Sequence, residues 1–217
     1  MSTRTTLIVS LVLILVAVAF GAAVYNQLPE RVASHWDAND QVNGTMSRFW
    51  GVAIMPLIAL GMLALFLLLP NIDPLKANIA TFRPMFNIFI AAMMVFLLFL
   101  HVVTIVWNLG YHGFRMSALL LPAVGLLFIL VGLLMRQAKR NFFIGIRTPW
   151  TLSSDRVWDQ THRVGAWLFV ACGVLAFFGV FAPGPAAFTL LIVPILTVTV
   201  FLLVYSYWLY HQEQAGH

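Results

Sequence analysis

Six unbroken apolar runs divide this chain, and each is about as long as a bilayer's hydrocarbon core is thick. Leu7–Tyr25, Phe49–Leu69, Met85–Asn108, Met116–Met135, Val164–Ala182 and Ala186–Tyr210 all approach the ~20 helical residues that a crossing requires. Lipid offers no water to backbone polar groups, so only α-helices and closed barrels span it, and barrel strands alternate in polarity. The runs therefore predict an all-α membrane protein with six transmembrane helices. Charge content agrees: 9% of residues are Asp, Glu, Lys or Arg, against about a quarter in soluble domains. So few charges cannot coat a water-facing surface. The first run has Arg4 before it and Gly21-Ala22-Ala23 near its end, as a signal peptide would. Its apolar core exceeds the ~7–15 residues of such segments, so a retained helix is expected.

The connections set the expected orientation. Arg4, Lys76, Arg83, Arg136, Lys139, Arg140, Arg147, Arg156 and Arg163 fall on one side, and only Arg31, Arg48 and Arg115 on the other. The positive-inside bias then places both termini and the 136–163 connection in the cytoplasm, with the first loop outward. Basic residues scattered at the ends of apolar runs do not form a phosphate-binding stripe, so no direct nucleic-acid contact is expected. The single cysteine, Cys172, excludes an intramolecular disulfide and a thiolate metal cluster.

Weak internal symmetry suggests three helical hairpins. Pro56, Pro122 and Pro194 lie a short way into the second, fourth and sixth runs, and Thr81-Phe82-Arg83 and Thr161-His162-Arg163 precede the third and fifth. Arginine at cytoplasmic helix ends and proline in membrane helices account for the same pattern without a repeat. Small residues seven apart, Ala118, Gly125 and Gly132 and then Gly165, Cys172 and Gly179, predict close helix packing along two faces.

The connection Arg140–Trp150, RNFFIGIRTPW, concentrates polar and aromatic groups between two apolar runs. Phe142, Phe143, Ile144 and Ile146 are suited to burial at the interface, with Arg140 and Arg147 reaching phosphates or helix carboxyl ends. Trp150 and Trp158 suit interfacial anchors. Ser153 or Ser154 is placed to cap the fifth helix, with Asp155 at the positive end of its dipole. In the first loop, His35, Trp36, Asp37 and Asp40 face outward; Asn43-Gly44 is a natural turn, and Arg48 is expected at a headgroup. His35, Asp37 and Asp40 are metal-ligand types, but one histidine and two carboxylates in a short loop carry little weight, and no metal site is expected. His101 lies mid-way along the third run, with Thr104 on the same face and Asn87 and Asn108 near the ends; an intramembrane ionisable residue marks either an ion path or a satisfied hydrogen bond. No Asp, Glu, Lys or Arg within the runs partners it.

The segment Lys139–Gly165, KRNFFIGIRTPWTLSSDRVWDQTHRVG, resembles the signature of the SdpI family of bacterial membrane proteins. The matching positions are Asn141, Gly145, Arg147, Thr148, Pro149, Trp150, Thr151, Trp158, His162 and Arg163. The first loop, LPERVASHWDANDQVNG, resembles the domain of unknown function that often precedes that segment, through Leu28, Pro29, His35 and Trp36. Asp37 and Asp40 stand where the pattern has Asn and Gly. The division this implies is 1–70, an N-terminal membrane hairpin with its external loop, and 71–217, a four-helix SdpI-like region with cytoplasmic loop 136–163. The resemblance implies a multi-pass protein of the bacterial cytoplasmic membrane that confers immunity to a secreted, membrane-active peptide toxin. His35, Trp36 and Asp37 would then meet the toxin outside, and the 141–163 residues would meet a cytoplasmic transcriptional repressor. Membrane lipids are the remaining expected partner; no cofactor and no catalytic residue is expected, since no nucleophile–base pair or phosphate cradle is present. A small transporter with His101 on its path, and a scaffold without ligand, remain alternatives.

Overall fold

The computed structural model of the chain describes residues 1–182 and 184–216. All six apolar runs form helices long and apolar enough to cross a membrane. They are α1 (Thr3–Val24), α2 (Arg48–Ile72), α3 (Lys76–Asn108) and α4 (Met116–Met135); after the short α5 (Pro149–Ser153) follow α6 (Asp155–Phe178) and α7 (Pro185–Ala215). Ser2 caps α1 by accepting from the Thr5 amide, and Ser154 caps α6 by accepting from Val157. The α6 cap and the acidic Asp155 behind it are those expected from the sequence. Two helices start more than two turns before their apolar runs, α3 at Lys76 and α6 at Asp155. In both, a polar first segment continues the helix beyond the hydrocarbon zone, and Pro84 is accommodated inside α3. Leu15, Leu57, Val95, Leu126, Val174 and Val200 all point outward. A belt of that size in water would be an association hazard, so it is the lipid-facing surface.

An all-α chain needs one correction. Residues Arg31–Trp36 (β1) and Val42–Ser47 (β2) form an antiparallel hairpin between α1 and α2. Its turn is Asp37–Gln41, not Asn43-Gly44. The Asp37 carboxylate accepts from the Asn39 and Gln41 amides at 2.8 and 2.9 Å, so one side chain satisfies the turn's free donors. Gly44 instead faces His35 across the ladder, where an added Cβ would come within 2.9 Å of the His35 Cβ.

The helices pack as two trios rather than three hairpins. Helix α3 rests on α1 and α2, whereas α6 lies between α4 and α7; the α3–α4 seam is sparser. Close approach of α4 and α6 comes from glycine. A Cβ on Gly125 would lie 2.6 Å from the Gly173 carbonyl oxygen, and one on Gly132 would lie 2.5 Å from that of Ala166. Backbones meet there without intervening side chains, as expected where lipid provides no hydrophobic drive. The Gly165–Cys172–Gly179 face turns mainly toward α7: Gly165 meets Ile146 and Leu202, Cys172 clusters with Val198 and Leu202, and Gly179 meets Leu121 and Ala187. A single apolar cluster containing Leu63, Phe82, Phe86, Leu134, Ile144 and Trp158 joins the two trios at the end of the bundle that carries the 136–154 loop. Residues 1 and 216 lie at this loop end, and the β-hairpin lies at the opposite one.

Candidate functional site

The loop end is a knot of side-chain hydrogen bonds. Asn141, fully buried, donates through Nδ2 to the carbonyls of Lys139 and Ile144 and accepts through Oδ1 from the amides of Phe143 and Ile144. Its full donor and acceptor capacity closes the loop on itself. The Phe142 amide reaches outside the loop, donating to the buried carboxylate of Asp73 at 2.9 Å, while the Asp73 Oδ1 accepts from Leu75 at 2.7 Å. Asn78 adds a bond to the Arg140 carbonyl at 2.8 Å. The α2–α3 turn is thereby tied to the 136–148 loop.

Gly145 adopts φ +115, a backbone region for which glycine is suited, and an added Cβ would overlap His162 Nε2. That nitrogen accepts from the Ile146 amide at 2.9 Å, and Nδ1 lies 2.9 Å from the Trp158 carbonyl. An amide can only donate and a carbonyl only accept, so the ring is neutral with its proton on Nδ1. Trp158 stacks on it at 4.0 Å and donates from Nε1 to the Ala138 carbonyl. Thr148 and Thr151 form a reciprocal capping box that starts α5, with Pro149 in its first turn. The Thr148 hydroxyl also meets that of Ser206 on α7 at 3.1 Å, and Thr151 donates to the Ile146 carbonyl.

The structure therefore brings together Asn141, Gly145, Thr148, Pro149, Thr151, Trp158 and His162. Arg163 is exposed one position beyond the knot. Trp158 is not an interfacial anchor; it is completely buried because its indole N–H has a carbonyl partner inside. Trp150 does stay at the surface, edge-on to Tyr207. Arg140 and Arg147 both bond backbone carbonyls, Arg140 at the end of α5 as one of the two expectations had it, while Arg147 stays exposed. Arg140 bonds the Leu152 carbonyl and pairs with Asp155, and Arg147 bonds the Phe142 carbonyl. Asp73, absent from the sequence expectations, had no local signal: it is a lone helix-end carboxylate far along the chain from its partner.

At the hairpin end, Asn108 at the close of α3 acts as an extra strand residue. Its Oδ1 accepts from the Ala33 amide at 2.7 Å, and its Nδ2 donates to the Ala33 carbonyl at 3.0 Å. Asp40, held at φ +59, reaches the first turn of α4 and accepts from both the Ser117 amide and hydroxyl at 2.7 Å. Trp36 packs edge-on against Trp107, which lies over His112. These groups, with Phe114 and Arg115, line a cavity of about 510 Å³. His35 and Asp37 do not reach it: His35 pairs with Asn43, and Asp37 serves its own turn. Arg48 likewise turns to protein, bonding the Pro29 carbonyl and lying over Tyr25. His35, Asp37 and Asp40 thus have separate partners and converge on no common point.

His101 is buried between α1 and α3. Its Nε2 lies 3.0 Å from the Ala17 carbonyl, with the Phe20 ring edge-on beside it. The gap next to Ala17 holds about 10 Å³ and is lined by apolar residues, and the His101 Nδ1 has no hydrogen-bond partner among the described residues.

Residues 137–206, from the loop into α7, match the SdpI/YfhL protein family, and residues 12–60, including the whole hairpin, match a domain of unknown function (DUF1648). The chain is 27% identical to the immunity protein SdpI of Bacillus subtilis (strain 168), over 94% of its own length and 95% of that relative's. No solved structure matches. The resemblance to the SdpI family read from the sequence is borne out.

Proposed function

We propose that this SdpI-type membrane protein confers immunity to a secreted, membrane-active peptide toxin, acting by binding and not by catalysis. In this scheme it sits in the bacterial cytoplasmic membrane with the hairpin end outside and the loop end in the cytoplasm, as its basic residues favour. Support comes from the similarity to an immunity protein along nearly the whole chain. The observation that carries the mechanism is the Asp40–Ser117 latch. It ties the outer hairpin to one end of α4, and the other end of α4 runs into the Asn141 knot.

A peptide presenting an aromatic or amphipathic side chain would enter the cavity beside Trp36 and Trp107. Its contacts with Trp36, Asn39 and Arg115 surround the latch. Signal passes inward only if the peptide binds the latched and unlatched hairpins with different affinity. At the loop end, exposed Phe142, Arg147 and half-exposed Trp150 offer the surface for a cytoplasmic repressor.

The test is a toxin-sensitive bacterium expressing the protein and challenged with such a peptide while a dye follows membrane potential. Cells with the wild type should hold their potential and empty cells lose it. An Arg147→Ala, Trp150→Ala variant at equal abundance should keep immunity while failing to recruit a repressor. Equal depolarisation of wild-type and empty cells would refute immunity to that peptide class.

A further inference from the structure

We propose that the loop end carries a binding site for the headgroup of an anionic phospholipid, in the cleft between the end of α4 and the first turns of α6. The cleft has a volume of about 290 Å³ and is lined by Arg136, Lys139, Asp159, His162, Arg163 and Trp167, together with Met135 and Ala138. Cations outnumber anions there by three to one. The one carboxylate, Asp159, sits 3.4 Å from Lys139 in an exposed, loose pair. Neither the Arg136 nor the Arg163 guanidinium has a hydrogen-bond or ion-pair partner among the described residues, unlike Arg140 and Arg147 a short way along the same loop. Two arginines left free around one concave site leave positive potential for an anion to neutralise.

The site's position selects a lipid over a soluble phosphate. Trp167, one turn further along α6 than Arg163, is 62% exposed, and the Arg136 guanidinium lies over its ring at 5.3 Å. Leu133, one turn back on α4, is also exposed. The cleft's wall thus continues without a break into the lipid-facing surface. A headgroup phosphate would meet Arg136, Lys139 and Arg163 while its acyl chains lay along Trp167 and Leu133. Basic pockets between transmembrane helices at the cytoplasmic face recognise anionic headgroups by this combination. His162 forms the floor but has no free nitrogen, since both are already bonded to backbone. The site takes no part in the immunity scheme above and stands or falls separately.

Native mass spectrometry of the full-length protein in mild detergent, offered equal phosphatidylglycerol and phosphatidylcholine, tests this. The protein should retain phosphatidylglycerol preferentially, and Arg136→Gln with Arg163→Gln should reduce that adduct by roughly thirtyfold, given the contribution of each basic residue near an anionic surface. Arg156→Gln, a free exposed arginine on α6 outside the cleft, should leave it unchanged. Circular dichroism and the melting temperature of each variant show that it is folded, and Trp167→Ala provides a second variant that keeps all three cations. It should weaken the phosphatidylglycerol adduct without abolishing it. Equal retention of both lipids, or equal loss in the Arg156 control, would overturn the proposal. Displacement of the lipid by millimolar glycerol phosphate would overturn the assignment to lipid and point to a soluble phosphate.

Discussion

Gly145→Ala separates backbone strain from the contact that holds the loop knot together. Two glycines of the chain have similar positive φ, +115 at Gly145 and +98 at Gly110. A Cβ at Gly110 would meet nothing within 4 Å, whereas at Gly145 it would overlap the His162 ring. Alanine at Gly110 should therefore cost only the strained conformation, about 1–3 kcal/mol. At Gly145 the same strain applies, and the ring must also move. The ring cannot yield cheaply, because it is stacked on Trp158 at 4.0 Å and bonded at both nitrogens. Overpacking of such a site costs about 1–3 kcal/mol, and orphaning the Ile146 amide about 1–3 kcal/mol more. The expected gap between the two alanines is thus at least about 2 kcal/mol. A cycle with His162→Ala makes the assignment specific. With the imidazole gone, Gly145→Ala should cost no more than Gly110→Ala, leaving a coupling of about 2 kcal/mol between sites that would otherwise add. Equilibrium unfolding in mixed detergent micelles measures all four variants. Equal costs for the two glycines, or an additive cycle, would refute the ring as the anchor of the loop.

Asp40→Gly suits the backbone at φ +59 and removes only the latch, so the first amides of α4 should exchange with deuterium about 5–30 times faster, the effect of losing one to two kcal/mol. Unchanged exchange at Ser117 would show that the latch bears no load. Asn141→Ala strands four backbone groups in a fully buried pocket and should destabilise by about 2–4 kcal/mol; unfolding in micelles and faster proteolysis between residues 139 and 148 would register it. His101→Leu removes one hydrogen bond between α1 and α3 and should cost only ~0.6–2 kcal/mol, with protection of cells retained. Loss of protection at equal stability and abundance would instead favour a polar path through His101.

What the sequence made legible followed from constraints that act over a few residues. Each apolar run had to be a helix because lipid leaves the backbone no other partner, and Ser154 with Asp155 marked the start of α6. The Lys139–Gly165 motif was legible as a family signature, but the stacking of Trp158 on His162 was not read from it. The partners of these groups were not legible. Phe142 meets Asp73, and Ala33 meets Asn108, through pairings that no local pattern encodes. The β-hairpin was hidden by its brevity and by a competing turn signal. Asn-Gly is the strongest short hairpin dipeptide, yet at Asn43-Gly44 it lost to a carboxylate at Asp37 that satisfies two turn amides. Of the two arginines expected at phosphates or helix carboxyl ends, Arg140 bonds a carbonyl in the last turn of α5 and Arg147 a loop carbonyl, and the cleft between Arg136 and Arg163 became visible only once α4 and α6 were set side by side.

That pairing also limits how motion could travel between the two ends. The backbones of α4 and α6 touch at Gly125–Gly173 and at Gly132–Ala166, with no side chain between to absorb a shift. Close-packed surfaces of this kind slide or move together rather than deform. A displacement begun at the Asp40–Ser117 latch would therefore carry α6 along with α4. The first turns of α6 hold Trp158 and His162, whose hydrogen bonds reach Ala138 and Ile146 on either side of the Asn141 knot. A small movement of α6 would thus arrive at the 136–148 loop from two directions, through its covalent link to α4 and through the histidine. The loop end should accordingly respond as one unit, and Gly145→Ala, which disturbs the histidine route and leaves the covalent link to α4, should weaken the coupling of the loop to the latch without touching the hairpin.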